Sequence, residues 1–258
     1  MQKEESKLKY YSFLKTLAKN AGKIIEAGYF GEINFKEKST QDYITQFDIR
    51  VEKFIKKQLS KKYPTHNILA EESGSSDDKK SDYLWIIDPI DGTTNFIHKI
   101  PMCAISIALE YKKKLIAGLV YNPITKEFFY AEKNSGAYLN GKKLRIGNSP
   151  KIKDWFLAWC YPDSMRNEKG IKRIFDLFYP KCLRITKLGS AAIELAYVAS
   201  GRVDGYISTG LKKWDYAAGE LIVKEAGGVL LKERIGKGNL FIASSKKNAK
   251  IILAMLRD

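Results

Sequence analysis

Apolar residues recur at helical spacing over 7–27, where Leu14, Leu17, Ala18, Ala21, Ile24 and Ile25 share one face, and this predicts an amphipathic first helix. A second helix is predicted over 48–62, with Val51, Phe54, Ile55 and Leu59 turned inward and a stop before Pro64. Short apolar runs at 67–70 and 84–87 predict buried strands. Residues 103–109, 115–121 and 128–132 read as consecutive strands joined by tight turns, and Asn140-Gly141 after 137–139 is a hairpin signal. The first half therefore reads as two helices on a mainly antiparallel sheet, with a surface loop at 73–81. Pro150 marks a boundary between two subdomains, about 1–150 and 151–258, of a single domain. Beyond it, strands at 155–160, 183–187 and 203–207 alternate with helices at 171–178, 190–199 and 216–226, and a strand at 240–243 and a helix at 246–256 close the chain. Alternation of this kind predicts a layered α/β fold.

Composition narrows the chemistry. The 258 residues carry 45 Lys+Arg against 29 Asp+Glu, a net charge of +16, and 45% are hydrophobic. The longest apolar stretches fall far short of the roughly 18–20 residues of a membrane helix, so no membrane partner is expected. The N-terminal MQKEESKLKYYS lacks the apolar run and cleavage site of a secretory signal, which predicts a cytoplasmic protein. Three scattered cysteines form no Cys-x-x-Cys pair, and there are only two histidines, His66 and His98. A catalytic metal must then be a hard cation held by carboxylates.

The residues that supply such ligands sit at element ends. In Trp85-Ile86-Ile87-Asp88-Pro89-Ile90-Asp91-Gly92-Thr93-Thr94-Asn95-Phe96, an apolar strand delivers Asp88, Pro89 fixes a turn, and Asp91 can point into the same space. Gly92 and the two threonines offer amides and hydroxyls suited to phosphate where a helix begins. A plain capped turn explains this pattern about as well. Glu71-Glu72 after a short strand, Asp215 at a helix start, and Thr45 and Asp48 before the second helix each have a plainer reading, as a loop edge or as caps. Four acidic sites with no histidine nonetheless match what a cluster of oxygen-loving divalent ions requires.

Together these segments resemble the inositol monophosphatase family of magnesium-dependent, lithium-sensitive phosphatases. Its hallmarks are a Glu-Glu pair, W-x-x-D-P-[IL]-D-G-T-x-N-F, and W-D-x-A-A/G-G followed by E-A-G-G. They stand here as Glu71-Glu72-Ser73, Trp85 to Phe96, and Trp214 to Gly219 continuing to Glu225-Ala226-Gly227-Gly228. The resemblance implies an αβαβα five-layer sandwich whose two αβ halves meet at the metal site, and a homodimer. It implies that Glu71, Asp88 and the Ile90 carbonyl bind one Mg²⁺, that Asp88, Asp91 and Asp215 bind a second, and that a third, weaker ion lies near Glu71. Asp48 and Thr93, with Glu71, would serve the attacking water, and no covalent phosphoenzyme is expected. Gly92, Thr93 and Thr94 would cradle phosphate through their amides, beside Lys38. Gly189, Ser190 and Ala191 would contact the leaving alcohol.

One departure bears on substrate. Many relatives place a glutamate seven residues before the Trp-Asp aspartate, and here that position is Ser208. With Lys212 and Lys213 expected near the pocket mouth, the loss of that acid favours a substrate with a second negative group, such as fructose 1,6-bisphosphate, beside inositol 1-phosphate. A nucleotide 3′-phosphatase or histidinol phosphatase ranks lower, because Thr94-Asn95-Phe96 fits the inositol or sugar-phosphate branch.

Other readings are weaker. Cys160 and Arg166 have the spacing of a cysteine phosphatase loop, but the residues between them contain no glycine and no His precedes the Cys. Gly136 to Lys142 resembles a nucleotide-binding loop, yet Lys143 replaces the required Ser/Thr and Asn140-Gly141 suits a hairpin. A basic RNA-binding protein would need a clustered arginine stripe or a recognition signature, and neither is present, so nucleic acid is not an expected partner.

Overall fold

The computed structural model describes residues 8–39, 42–76, 80–161, 169–235 and 238–257. The first helix, α1 (Tyr11–Tyr29), buries the predicted face but begins later than its periodicity suggests. Its start is set from a distance: the Glu132 carboxylate accepts the amides of Lys9 (3.0 Å) and Tyr10 (2.7 Å), supplying a cap that local sequence lacks. A hairpin that the apolar pattern does not announce follows, β1 (Phe35–Ser39) and β2 (Asp42–Thr45), and leads into α2 (Gln46–Lys62). Strands β3 (Asn67–Ala70), β4 (Gly74–Ser76) and β5 (Tyr83–Asp91) precede the short helix α3 (Thr93–Ile97). Part of the predicted 73–81 loop is thus a strand paired with β3, and residues 77–79 lie outside the described residues.

Strands β6 (Ala104–Tyr111), β7 (Lys114–Asn122), β8 (Glu127–Glu132), β9 (Gly136–Leu139) and β10 (Lys142–Lys143) continue as a meander. The sheet order is β10-β9-β8-β7-β6-β5-β3-β4, antiparallel except for the β3–β5 pair. Asn140-Gly141 turns β9 into β10, so that segment is the expected hairpin and no nucleotide-binding loop.

After a 3-10 turn (Ile152–Asp154) come β11 (Phe156–Cys160), α4 (Lys169–Phe178), β12 (Arg184–Thr186), α5 (Ala191–Ala199), β13 (Gly205–Thr209), α6 (Lys213–Glu225), β14 (Val229–Ile235), β15 (Gly238–Ser244) and α7 (Lys246–Arg257). The second sheet, ordered β12-β11-β13-β15-β14, is parallel among β12, β11 and β13 and antiparallel beyond.

Strand alternation sorts the side chains into three cores. Trp85 and Ile87 of β5 pack against α1 and α2, whereas Ile86 between them faces α5 and α6. On β15, Phe241 and Ala243 join that same central core, while Leu240 and Ile242 pack with α4 and α7. The layers therefore run α1/α2, first sheet, α5/α6, second sheet, α4/α7. This is the expected five-layer αβαβα arrangement. Among the described residues no helix is long and apolar enough to cross a membrane.

Candidate active site

A break in strand pairing places the first two carboxylates. Asp88 stands opposite Ser106 and Asp91 opposite Ala104, so three steps on β5 match two on β6. In a regular strand residues three apart face opposite sides; the extra residue, at a Pro89 that lacks an N–H, brings Asp88 and Asp91 to the same side. Gly92 then adopts φ +91, and a Cβ there would stand 2.7 Å from the Met102 carbonyl oxygen and 3.1 Å from that of Gly189. Only glycine fits this turn, which opens α3.

The rest of the sandwich is tied to this turn. Asn95 donates to the carbonyls of Met102 (2.8 Å) and Leu188 (2.7 Å). Ser190 is the N-cap of α5, and its hydroxyl also bonds Asp91 Oδ2, which accepts the Ala192 amide at 2.6 Å. Asp91 is thereby the joint between the first sheet and the α5 N-terminus, where the helix dipole favours negative charge. Ser106 donates to the Trp214 carbonyl (3.2 Å), anchoring the start of α6, and Asp215 accepts the Lys212 amide at 2.7 Å.

Thr45 and Asp48 do both things their sequence context offered. They form a reciprocal capping box on α2, Asp48 Oδ2 accepting the Thr45 amide at 2.8 Å. Asp48 Oδ1 meanwhile accepts from Thr93 Oγ1 at 3.2 Å, and the same hydroxyl lies 2.9 Å from the Ile90 carbonyl. From β1, Lys38 reaches Glu71 (3.1 Å) and Glu72 (3.0 Å), so it stands beside the acidic cluster.

Electrostatically the cluster is under strain. Asp88, only 2% exposed, is raised well above the ordinary carboxylate range by burial and then by the charges of Glu71, Asp91 and Asp215. Asp215 is raised by burial and by Asp91. Burial raises Glu71 as well, against the pull of Lys38. Asp91 and Asp48 are each pushed up to about 6, both chiefly by burial and against the hydrogen bonds that favour their ionised forms. Asp88 Oδ1 is buried with no hydrogen-bond partner. Lys38 loses to burial but gains more from Glu71 and Glu72, and its pKa rises.

Among the described residues no three His, Cys, Asp or Glu side chains already converge as a closed ligand set. One oxygen of Asp91 and one of Asp215 are held by protein donors, and Glu71 is engaged by Lys38. The donor set still fits Mg²⁺: it is all oxygen, its members repel one another, and its most buried member has an orphaned oxygen.

The residues expected on the alcohol side are mostly enclosed. Ser190 is 1% exposed and committed to Asp91, and Ala191 is buried. Ser208 is 1% exposed in β13, opposite Cys160 and Phe241. Lys213 is drawn off the mouth by an ion pair with Glu110 (2.7 Å), because its position in the first turn of α6 faces β6. Burial raises the Cys160 thiol, the reverse of what a thiolate nucleophile needs. Arg166 lies outside the described residues.

Sequence reasoning missed Glu194. Fully buried on α5, it accepts the Leu188 amide at 2.6 Å, leaves its other oxygen without a partner, and is pushed by burial to about 8. A lone acid within AAIELAYVA, an otherwise apolar helix, was the available signal. Glu225 of the E-A-G-G segment accepts the amides of Asn134 (2.8 Å), Ser135 (3.1 Å) and Gly136 (2.8 Å), so its visible work is to tie α6 to the β8–β9 turn.

The chain is similar to known proteins along most of its length. The profile of the inositol monophosphatase family matches residues 7–257. A Nus factor SuhB of Pasteurella multocida is 40% identical over 216 residues, 83% of this chain and 81% of that one. An inositol-1-monophosphatase of Mesorhizobium japonicum is 41% identical over 204 residues, 77% of this chain and 76% of its own. The crystal structure of the extragenic suppressor protein suhB from Bartonella henselae superposes with a TM-score of 0.90 at 34% identity, covering 96% of this chain and 98% of that one. The chain belongs to the inositol monophosphatase family.

Proposed function

We propose that the chain hydrolyses small phosphomonoesters, with inositol 1-phosphate as its best single substrate. The observation that carries this reading is the orphaned, buried Asp88 Oδ1 amid carboxylates that raise one another's pKa. Two to three Mg²⁺ ions, when bound, supply Lewis acidity and a water of lowered pKa. Glu71, Asp88 and the Ile90 carbonyl would hold one, and Asp88, Asp91 and Asp215 another.

The chain's own part is orientation and proton handling. Thr93 Oγ1 lies between the Ile90 carbonyl and Asp48 Oδ1, so it aligns the attacking water and passes its proton to Asp48. Burial holds Asp48 at about 6, ionised near neutral pH yet more basic than an exposed aspartate. The first amides of α3, from Gly92, Thr93 and Thr94, face phosphate oxygens, and Lys38 balances the acids around them. Gly189 would line the alcohol side, and Ser190 would act there through Asp91.

Fructose 1,6-bisphosphate is the second reading. Ser208 in place of an acid favours it, and Lys212, whose charge acts on Asp215, remains on that side after Lys213 is withdrawn. Phosphate release from inositol 1-phosphate, fructose 1,6-bisphosphate and adenosine 3′,5′-bisphosphate, with and without Mg²⁺ and beside Asp88→Asn, tests both. Mg²⁺-dependent turnover that Asp88→Asn abolishes is the expected result, with inhibition by Li⁺. Turnover that survives chelation or the substitution would sink the metal assignment. The resemblance also implies a homodimer, for which light scattering should return twice the 29.3 kDa chain mass.

A further inference from the structure

On the far side of the first sheet from α5 and α6, a groove of about 510 Å³ opens between α1 and the β7–β8 turn. It lies three strands from β5, about 14 Å by strand spacing, and shares no residue with the acidic cluster. Its floor is aromatic, from Tyr11, Tyr121 and Phe128, and its walls carry four lysines against one glutamate, Glu26, which leaves +3.

Three of those lysines, Lys15, Lys19 and Lys23, are spaced i, i+4, i+8 on α1, so their stems rise about 6 Å apart along one face. Like charges at that spacing destabilise a helix. Among the described residues neither Lys19 nor Lys23 has an ion-pair or hydrogen-bond partner, so no contact described there offsets the repulsion between these two. Lys15 lies over the Tyr11 ring, 4.8 Å from its centroid, and Lys126 pairs with Glu26 at 2.6 Å.

The floor shows a second, independent cost. Gly22 sits in the middle of α1, where glycine weakens a helix. A Cβ there would stand 2.7 Å from the Tyr121 ring and 3.0 Å from Pro123, so the glycine is what lets this ring lie beneath the helix. Tyr121 is 4% exposed, lies in the fields of Lys126 and Glu26, and its hydroxyl has no hydrogen-bond partner among the described residues.

We propose that this groove is a second anion-binding site that takes a compact polyphosphate, with Lys19 and Lys23 meeting successive phosphates and the Tyr121 hydroxyl donating to one of them. A half-open groove with several exposed lysines along one wall fits a small ligand of several phosphates better than one carrying a single charge.

Calorimetric titration of the full chain with tripolyphosphate in EDTA tests this, because without divalent ions the carboxylate cluster repels the probe. The expected result is saturable binding that K19E/K23E weakens at least tenfold, that K19M/K23M weakens by less, and that Tyr121→Phe weakens several-fold. Asp88→Asn should bind as the parent does, and circular dichroism should show the lysine variants folded. Absence of binding to the parent, or equal binding by K19E/K23E, overturns the proposal. An eight-residue thymidine oligonucleotide that binds tighter than tripolyphosphate and is lost in the same variant overturns the compact-ligand assignment. None of these readouts uses phosphatase activity, so the site stands or falls apart from the catalytic reading.

Discussion

Replacing Gly92 by alanine isolates how much of the site depends on one turn. Two costs add at this position. A left-handed backbone costs a non-glycine residue about 1–2 kcal/mol. The new Cβ would also meet the Met102 and Gly189 carbonyl oxygens at 2.7 and 3.1 Å and the Ser190 Cβ at 3.2 Å, two of them backbone atoms that cannot rotate away. Gly227, at φ +98 with nothing within 4 Å of its would-be Cβ, carries the first cost alone. Gly227→Ala should therefore lower stability by about 1–2 kcal/mol and Tm by roughly 2–5 °C. Gly92→Ala should lose about 3–4 kcal/mol, a fall in Tm of roughly 6–12 °C. Because the clash displaces the segment between Asp91 and Thr93, a shift of about 1 Å should also cost on the order of 100-fold in kcat, with Gly227→Ala near the parent. Calorimetry beside steady-state phosphate release reads both quantities. If Gly92→Ala matches Gly227→Ala in Tm and in kcat, the close approach of the two halves at this turn does not position the chemistry.

Chelation should expose the strain in the carboxylate cluster as a pH effect. Burial raises Asp91 from 3.8 to about 6, so the folded, metal-free chain keeps a proton that the unfolded chain releases; stability from this group is present below pH 3.8 and lost as pH rises through 6, on the order of 3 kcal/mol. The gap in Tm between Mg²⁺ and EDTA samples should widen from pH 5 to pH 7, and a constant gap would refute this. Glu194→Ala should lose about 1–3 kcal/mol by orphaning the Leu188 amide, whereas Glu194→Gln keeps an acceptor and should lose less; equal Tm values in thermal melts would show that the hydrogen bond contributes nothing.

The elements most legible in the chain were those with a long period or a bounded apolar run. Helix α2 and the meander from β6 to β9 follow directly from spacing, because each buries one face or both. The β1–β2 hairpin escaped that reading because β1 buries nothing: all five of its residues are exposed, so alternation leaves no signal. The α1 start was illegible for a different reason, since its cap is a carboxylate on β8, more than 120 residues away. Site residues followed the same division. Asp88 and Asp91 were readable as a pair because Pro89 sits between them, but the bulge that gives them a common face appears only in the pairing with β6.

What the chain order could not convey is that one side chain serves several ends at once. Asp48 caps α2 and also accepts from Thr93; Ser190 caps α5 and also holds Asp91. In each case a cap and a contact to another candidate site residue are made by the same side chain, so the two roles do not compete. Caps are where a folded chain has amides left over, and a carboxylate already held by those amides is pre-oriented before any ligand arrives. Placing the site at helix starts therefore lets the hydrogen bonds that end the helices also fix the acids in position. It follows that Ser190→Ala should damage catalysis more than its loss as a cap would suggest, since the same change frees Asp91 to rotate away from the Ala192 amide. Rescue of turnover by Ser190→Thr, which restores the hydroxyl, separates that role from a general loss of stability.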